Sequence, residues 1–343
     1  MGIVSLLVGV ALLVAVIVDI LWTTLWVDGG AGPISSRLTT GVWRGLRVVT
    51  GDHAAALSLA GPLILALTLA TWIALIWVGW TFVFASSPIA LVNTRTGGTA
   101  DWAGRFYYVA YTMFTDGNGD YTPVYGGDAW EIASALTTAS GMAFVTLGVS
   151  YVISVLGAVS EKRAFASGVT GLGDRSEAFV RSGWTDEEGF DGLELPLNDL
   201  SSQLDLLADK HKAYPVLHYY HSDRSEDASA MAIPIFDEAL TLIRHGVPGD
   251  ANVGPNPTLV ESARSSADTY LETLDKTFIE PVDEAPPPPE LDRLREEGIP
   301  TASDESFEDA LEDLRERRRY LLAVVEADAW HWPPLDGEDD GSA

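Results

Sequence analysis

Three long apolar stretches dominate the pattern of hydrophobic and polar positions. Ile3–Val27 is nearly unbroken Val, Leu, Ile and Ala. Leu57–Ala85 is the second run, with Pro62 near one end and Trp72, Trp77 and Trp80 toward the other. Ile132–Val159 is the third, closed by the polar stop Glu161-Lys162-Arg163. A bilayer-crossing helix needs about 20 apolar residues, so the pattern predicts three spans. Proline is tolerated in the first turns of a helix, and tryptophans near an end suit a membrane interface. The first run lacks the basic leader and small-residue cleavage site of a signal peptide.

Shorter helical periods fill the rest. Ile34, Leu38, Val42, Trp43, Leu46 and Val49 recur at 3–4 spacing over Pro33–Val49, with Arg37, Arg44 and Arg47 interleaved. This predicts an interfacial helix on the inner leaflet. Beyond Arg163 the spacing predicts helices over Glu177–Trp184, Leu197–His211, Glu226–Arg244, Thr258–Ile279 and Phe307–Trp330, with Pro286–Pro289 as a rigid linker. The expected fold class is an all-α membrane protein whose three spans precede a helical bundle.

The segment between the second and third runs is too apolar for a surface loop. Asp101 or Thr99 caps a predicted helix from Trp102 to Phe114, rich in aromatics. At 1.5 Å per residue it reaches ~20 Å, half-way into a bilayer. The chain must then re-enter and return, and irregular backbone at that depth has to line water or be buried in protein. The next residues are Thr115-Asp116-Gly117-Asn118-Gly119-Asp120. Alternating glycines let successive carbonyls turn toward one axis, and a ring of carbonyls can replace the water around a cation. The segment reads as a selectivity filter, with Asp128 and Glu131 at its outer mouth. Gly141 is the gating-hinge candidate, although close helix packing explains glycine in an apolar helix equally well.

Charge divides the chain. Residues 1–163 carry 7 Lys/Arg and 9 Asp/Glu, whereas 164–343 carry 14 and 40 out of a net −28. So acidic a half repels nucleic acid, which removes it as a partner. Few lysines among many carboxylates suggest a halophile, since molar salt screens over ~3 Å. With no cysteine there is neither a disulfide framework nor a thiolate metal site. Arginine-bearing 29–51 and Lys162-Arg163 belong on the cytoplasmic side by the positive-inside rule. The N-terminus then lies outside and the acidic half inside. The expected organisation is a first transmembrane helix at 1–28, an interfacial segment at 29–56 and a pore domain at 57–163. A cytoplasmic helical domain follows at 164–334, and an acidic disordered tail at 335–343.

Tyr107 to Pro123 resembles the pore signature of the potassium channel family. That pattern has Tyr five residues before Thr-x-x-Thr, then Val-Gly-Tyr-Gly-Asp-x-x-Pro. Tyr107, Thr112, Thr115, Gly117, Gly119, Asp120 and Pro123 fall on it. The resemblance covers about 57–160, and the helical part behind it is similar to that of prokaryotic three-span members. It implies ion sites built from the Thr115 hydroxyl and the carbonyls of Thr115, Asp116, Gly117 and Asn118. It also implies four chains around one axis, a homotetramer in membrane lipid with potassium as the permeant ion. The family's Val is Asp116 here and its Tyr is Asn118. Asn cannot fill the space of the Tyr that sets the filter's diameter, so a non-selective pore passing sodium or divalent ions is the alternative. A non-conducting membrane-anchored interaction module is the second.

Other motifs carry less. Asp116-x-Asn118-x-Asp120 opens like a calcium-binding loop, but Tyr121 and Gly127 stand where that loop needs Gly and Glu. His211, His218 and His221 read as a packed aromatic turn more readily than as a metal site. Asp19 inside the first span is expected to be structural, bonded to Thr23, Thr24 or a neighbouring helix. No nucleophile–base constellation appears, so no enzyme and no cofactor are expected; a cytoplasmic regulator is the one further partner considered.

Overall fold

A computed structural model describes residues 2–26, 30–50, 54–185, 187, 189–248, 255–275, 279 and 281–332. The expected tail at 335–343 and Phe278 lie outside them. The chain is mostly helical, and three helices are long and apolar enough to cross a membrane: α1 (Gly2–Leu25), α4 (Ala60–Ala85) and α6 (Asp128–Thr170). Between them lie α2 (Pro33–Thr50), the short α3 (Ala54–Leu57) and α5 (Trp102–Met113). After α6 come α7 (Ser176–Ser182), α8 (Glu194–Ala213), α9 (Ser229–Thr241), α10 (Pro257–Asp275), α11 (Leu291–Glu296), α12 (Asp304–Asp313) and α13 (Arg315–Ala327). Two compact units result. One comprises Met1–Gly45, Gly61–Leu156 and Ala213–Val216; the other comprises Leu46–Ala60, Gly157–Lys212 and Leu217–Ala343.

Several boundaries differ from the sequence pattern. The second span starts at Ala60, because a turn follows α3 and Pro62 takes the first turn of α4. The helix that carries the third run continues past Glu161-Lys162-Arg163 to Thr170 as α6. Lys162 is buried there, and its Nζ donates to the carbonyls of Tyr220 at 2.9 Å and Leu217 at 3.4 Å. A lysine whose charge is met by backbone carbonyls need not end a helix. The pattern over Phe307–Trp330 breaks at Leu314 into α12 and α13. The pattern also gave no sign of a small antiparallel pair, β1 (Leu91–Asn93) with β2 (Tyr121–Pro123), in register Leu91 to Pro123.

In the first unit α1 and α4 meet through glycine. A Cβ on Gly9 would lie 2.7 Å from the Gly79 carbonyl, and one on Gly79 would lie 2.9 Å from Leu13. Small residues of this kind let apolar helices approach without a hydrophobic driving force. Asp19 is fully buried within α1, six residues before its C-terminal end at Leu25. Its Oδ1 accepts from the backbone N–H groups of Ile34 (2.7 Å) and Ser35 (3.2 Å). Its Oδ2 accepts from the Ser35 hydroxyl (2.5 Å) and the Trp72 indole (2.8 Å). One carboxylate thus satisfies the free N–H groups that open α2 and ties α1 to α4. Its partners are the neighbouring helices; the Thr23 hydroxyl instead accepts from Gly32 N–H.

In the second unit every residue of α9 is buried. Phe236 meets Phe165 and Phe179 edge-on at 6.1 and 6.0 Å. α9 also buries two adjacent acids, and the arginines of α13 neutralise them. Asp237 pairs with Arg317 at 2.5 Å and with Arg264 of α10 at 2.8 Å, while Arg317 also reaches Asp268. Burial pushes the Asp237 carboxyl up, but the two arginines outweigh it and hold the group below the ordinary range. For Glu238 burial wins, lifting it to about 7 against the pull of Arg318 at 2.7 Å; Asp237 and Glu177 add to the lift.

Folded Glu238 therefore keeps a proton over a window, from 4.5 to about 7, in which the unfolded chain has lost it. Its contribution to stability is complete below that window and disappears as pH rises through it. Glu238→Gln is neutral throughout. The melting temperature of the wild-type chain, compared with that of the variant, should be relatively higher on the acid side of the window than on the alkaline side. A constant difference would refute the assignment.

Candidate functional site

Helix α5 begins where Asp101 accepts the Gly104 N–H at 2.7 Å, as the sequence predicts. Its aromatic faces fix it between α4 and α6. Phe106 stacks on Trp77 at 4.2 Å, and the Trp77 indole donates to the Phe106 carbonyl at 2.8 Å. On the other side the Tyr108 hydroxyl donates to Ser134 at 2.5 Å. A Cβ on Gly141 would sit 2.0 Å from the Met113 carbonyl. Gly141, the hinge candidate, is thus where α6 lets the end of α5 touch its backbone. A Cβ on Gly148 of the same helix would meet Leu69 at an ordinary 3.6 Å.

The chain leaves α5 in a tight turn. Thr115 N–H donates to the Thr112 carbonyl, and Asp116 N–H to the Tyr111 carbonyl at 2.8 Å. The sign of φ then alternates. It is +61° at Thr115, +63° at Gly117 and +74° at Gly119, and it is not positive at Asp116 and Asn118. Glycine takes such angles freely, whereas a β-branched threonine there carries strain of about 1–3 kcal/mol. Residues 114–119 are exposed in the single chain. Among the described residues, no hydrogen bond reaches the carbonyls of Thr115, Asp116, Gly117 or Asn118.

The loop is clamped from behind. The Tyr111 hydroxyl donates to the Tyr121 carbonyl at 2.5 Å and accepts the Tyr121 N–H at 3.1 Å. Together with its own carbonyl, Tyr111 therefore pins both the entry and the exit of the loop. Thr94 donates through its hydroxyl to the Gly119 carbonyl at 2.9 Å, and its N–H meets the Asp120 carbonyl at 3.0 Å. A side-chain chain runs from Asn118 to Tyr107 (2.8 Å), from Tyr107 to Asp120 (3.3 Å), and from Arg95 to Asp120 (2.7 Å). The Asn118 side-chain amide thus donates to the Tyr107 hydroxyl, which reaches it from α5. Gly104 makes room for the Tyr121 ring, since a Cβ there would lie 2.6 Å from it.

The six positions singled out by sequence, Thr115 to Asp120, form one continuous loop between α5 and β2. Asp128 and Glu131 sit exposed in the first turn of α6, where carboxylates suit a helix N-terminus. Sequence reading missed Thr94 and the double role of Tyr111; the one signal for Tyr111 was its place in an aromatic run. The histidines stand apart from this loop in sequence and in partners. His211 meets Tyr270 edge-on at 5.2 Å, and His221 stacks on Trp330 with Asp328 3.3 Å from its Nδ1. Burial, with Lys162 beside them, holds His211 well below the ordinary imidazole value and His218 at about 4.

Comparison with known proteins places the chain beside a bacterial membrane protein. It is 41% identical over 325 residues to the "Uncharacterized membrane protein YdjJ" of Bacillus subtilis (strain 168), covering 95% of this chain and 94% of the relative. No family model and no solved structure matches it. Three bilayer-length helices and near full-length identity agree: the chain is a membrane protein and belongs to the family of Bacillus subtilis YdjJ.

Proposed function

We propose that this protein is a pore-loop cation channel of the potassium-channel type, in which four copies bring their Thr115–Gly119 loops around one axis. The observation that carries this reading is the alternation of φ along a loop in which the carbonyls of Thr115 to Asn118 accept no hydrogen bond from the described residues. Carbonyls exposed in one chain can be satisfied by a cation when four loops converge. Helix α5 is then a re-entrant pore helix between outer helix α4 and inner helix α6. The positive-inside rule orients the N-terminus outward and the second unit toward the cytoplasm. The Tyr107–Asn118–Asp120 chain supports a filter of held diameter and so favours potassium; Asp116, whose side chain is exposed, favours the alternative of a less selective pore.

Purified protein in planar bilayers should carry a cation current. The reversal potential under opposed potassium and sodium gradients reads its selectivity. Gly119→Ala, placed at φ +74°, should cut the current at least tenfold, since the strain of about 1–2 kcal/mol falls on the loop itself. Folded wild-type protein that passes no current would sink the channel reading and leave a membrane-anchored interaction module.

A further inference from the structure

Helix α2 is poorly covered by its own chain. Of its 18 residues only Ser35 and Thr39 are buried. Gly41 and Gly45 lie in its interior with nothing within 4 Å of a would-be Cβ. Glycine weakens a helix relative to alanine, and helices in proteins are held chiefly by packing an apolar face. An isolated helix of this make-up needs a surface to lie on. At 100° per residue, Ile34, Leu38, Val42, Leu46 and Val49 share one arc, and Arg37, Arg44 and Arg47 share the opposite one. On the apolar arc Val49 is 83% exposed and Ile34, Leu38, Val42 and Leu46 are half-buried; Val48, on the arginine side, is 85% exposed, and Arg37 and Arg44 are exposed too. The helix holds three arginines and no acid in a chain of net charge −28.

We propose that α2 is an anionic-lipid-binding helix. Its apolar arc lies at the acyl boundary, its arginines meet headgroup phosphates, and Asp19 fixes its first turn to α1 and α4. The charge argues for this occupant, because α2 carries three arginines and no acid, a local positive charge that complements anionic headgroups although the rest of the chain is acidic. The anchor argues for it as well. The bonds from Ile34, Ser35 and Trp72 to Asp19 attach α2 directly to helices of bilayer length. The proposal does not rest on conduction, and a silent pore leaves it standing.

The test uses the full chain in lipid nanodiscs, made of phosphatidylcholine alone or mixed with phosphatidylglycerol, and measures amide hydrogen exchange over Leu38–Thr50. Protection should be greater with phosphatidylglycerol. The triple change Arg37→Gln, Arg44→Gln, Arg47→Gln should abolish that increment while exchange in α4 and α6 stays as in wild type. The triple lysine variant should keep it. At about fivefold in affinity per basic residue, the loss for three is on the order of a hundredfold. Free glycerol phosphate should not reproduce the effect. Equal protection in the two bilayers, an increment that survives the glutamine changes, or one reproduced by glycerol phosphate would overturn the proposal.

Discussion

Asp19→Ala should be the most destabilising single change in the first unit. The side chain is fully buried and accepts four hydrogen bonds, from two backbone N–H groups, a hydroxyl and an indole. Hydrogen bonds to a charged acceptor contribute about 1.5–3 kcal/mol each, and non-additivity reduces the sum. A cost of about 4 kcal/mol is expected, equivalent to a drop in melting temperature on the order of 10 °C. Asp19→Asn keeps one acceptor oxygen of the two and should lie between. The check is thermal unfolding of detergent-solubilised protein followed by size-exclusion chromatography. Alanine and wild-type chains that melt together would show that the anchor contributes little. Because Gly32 packs against this carboxylate, with a would-be Cβ 2.3 Å from Oδ1, Gly32→Val should add to the same defect.

Tyr111→Phe should have the largest effect on the loop. The change preserves the ring and the backbone carbonyl that accepts Asp116 N–H, and deletes only the hydroxyl. Both polar groups of the Tyr121 backbone then lose a partner. An unsatisfied buried group costs about 1–3 kcal/mol, so a local loosening of about 2–4 kcal/mol is expected at the point where the chain returns from Asp120. Amide exchange at Tyr121 should rise by about 30-fold or more, a change of about 2 kcal/mol, while α4 and α6 keep their protection. If the loop forms a filter, the same variant should also lose current or selectivity. A Tyr121 amide that exchanges as slowly as in wild type would remove Tyr111 from its clamping role whatever the currents show.

The legible parts of this fold are those in which one physical signal dominates. Spans α1, α4 and α6 follow from apolar runs, which no other element of the chain imitates. α2 and α5 follow from helical spacing, and for α5 a capping aspartate supplies the start. What periodicity could not give is partnership across long separations. Arg317 and Arg318 look like ordinary surface arginines among acids, yet they cross to Asp237 and Glu238 on α9. Lys162 looks like a membrane-edge lysine and is a buried donor to carbonyls. Thr94 has no signal at all, because its role depends on the β1–β2 pairing that aligns it with Gly119. In the candidate site the positive φ of Gly117 and Gly119 was readable from glycine spacing. The tyrosines that hold them were visible only as aromatic bulk, since which hydroxyl meets which backbone group is a matter of a few ångströms.

The pairing of α9 with α13 also bears on how the chain is made. Asp237 and the arginine that grips it with two nitrogens are 80 residues apart. Synthesis runs from the N-terminus, so the ribosome delivers Asp237 with Arg264 following after 27 residues and Arg317 only after 80. Until Arg317 emerges, burying α9 leaves Asp237 with one of its two arginines, which disfavours closure of the unit. A chain truncated before Arg317 would keep all three bilayer-length helices and lose the second arginine of Asp237 and the arginine of Glu238, so its second unit should close less stably.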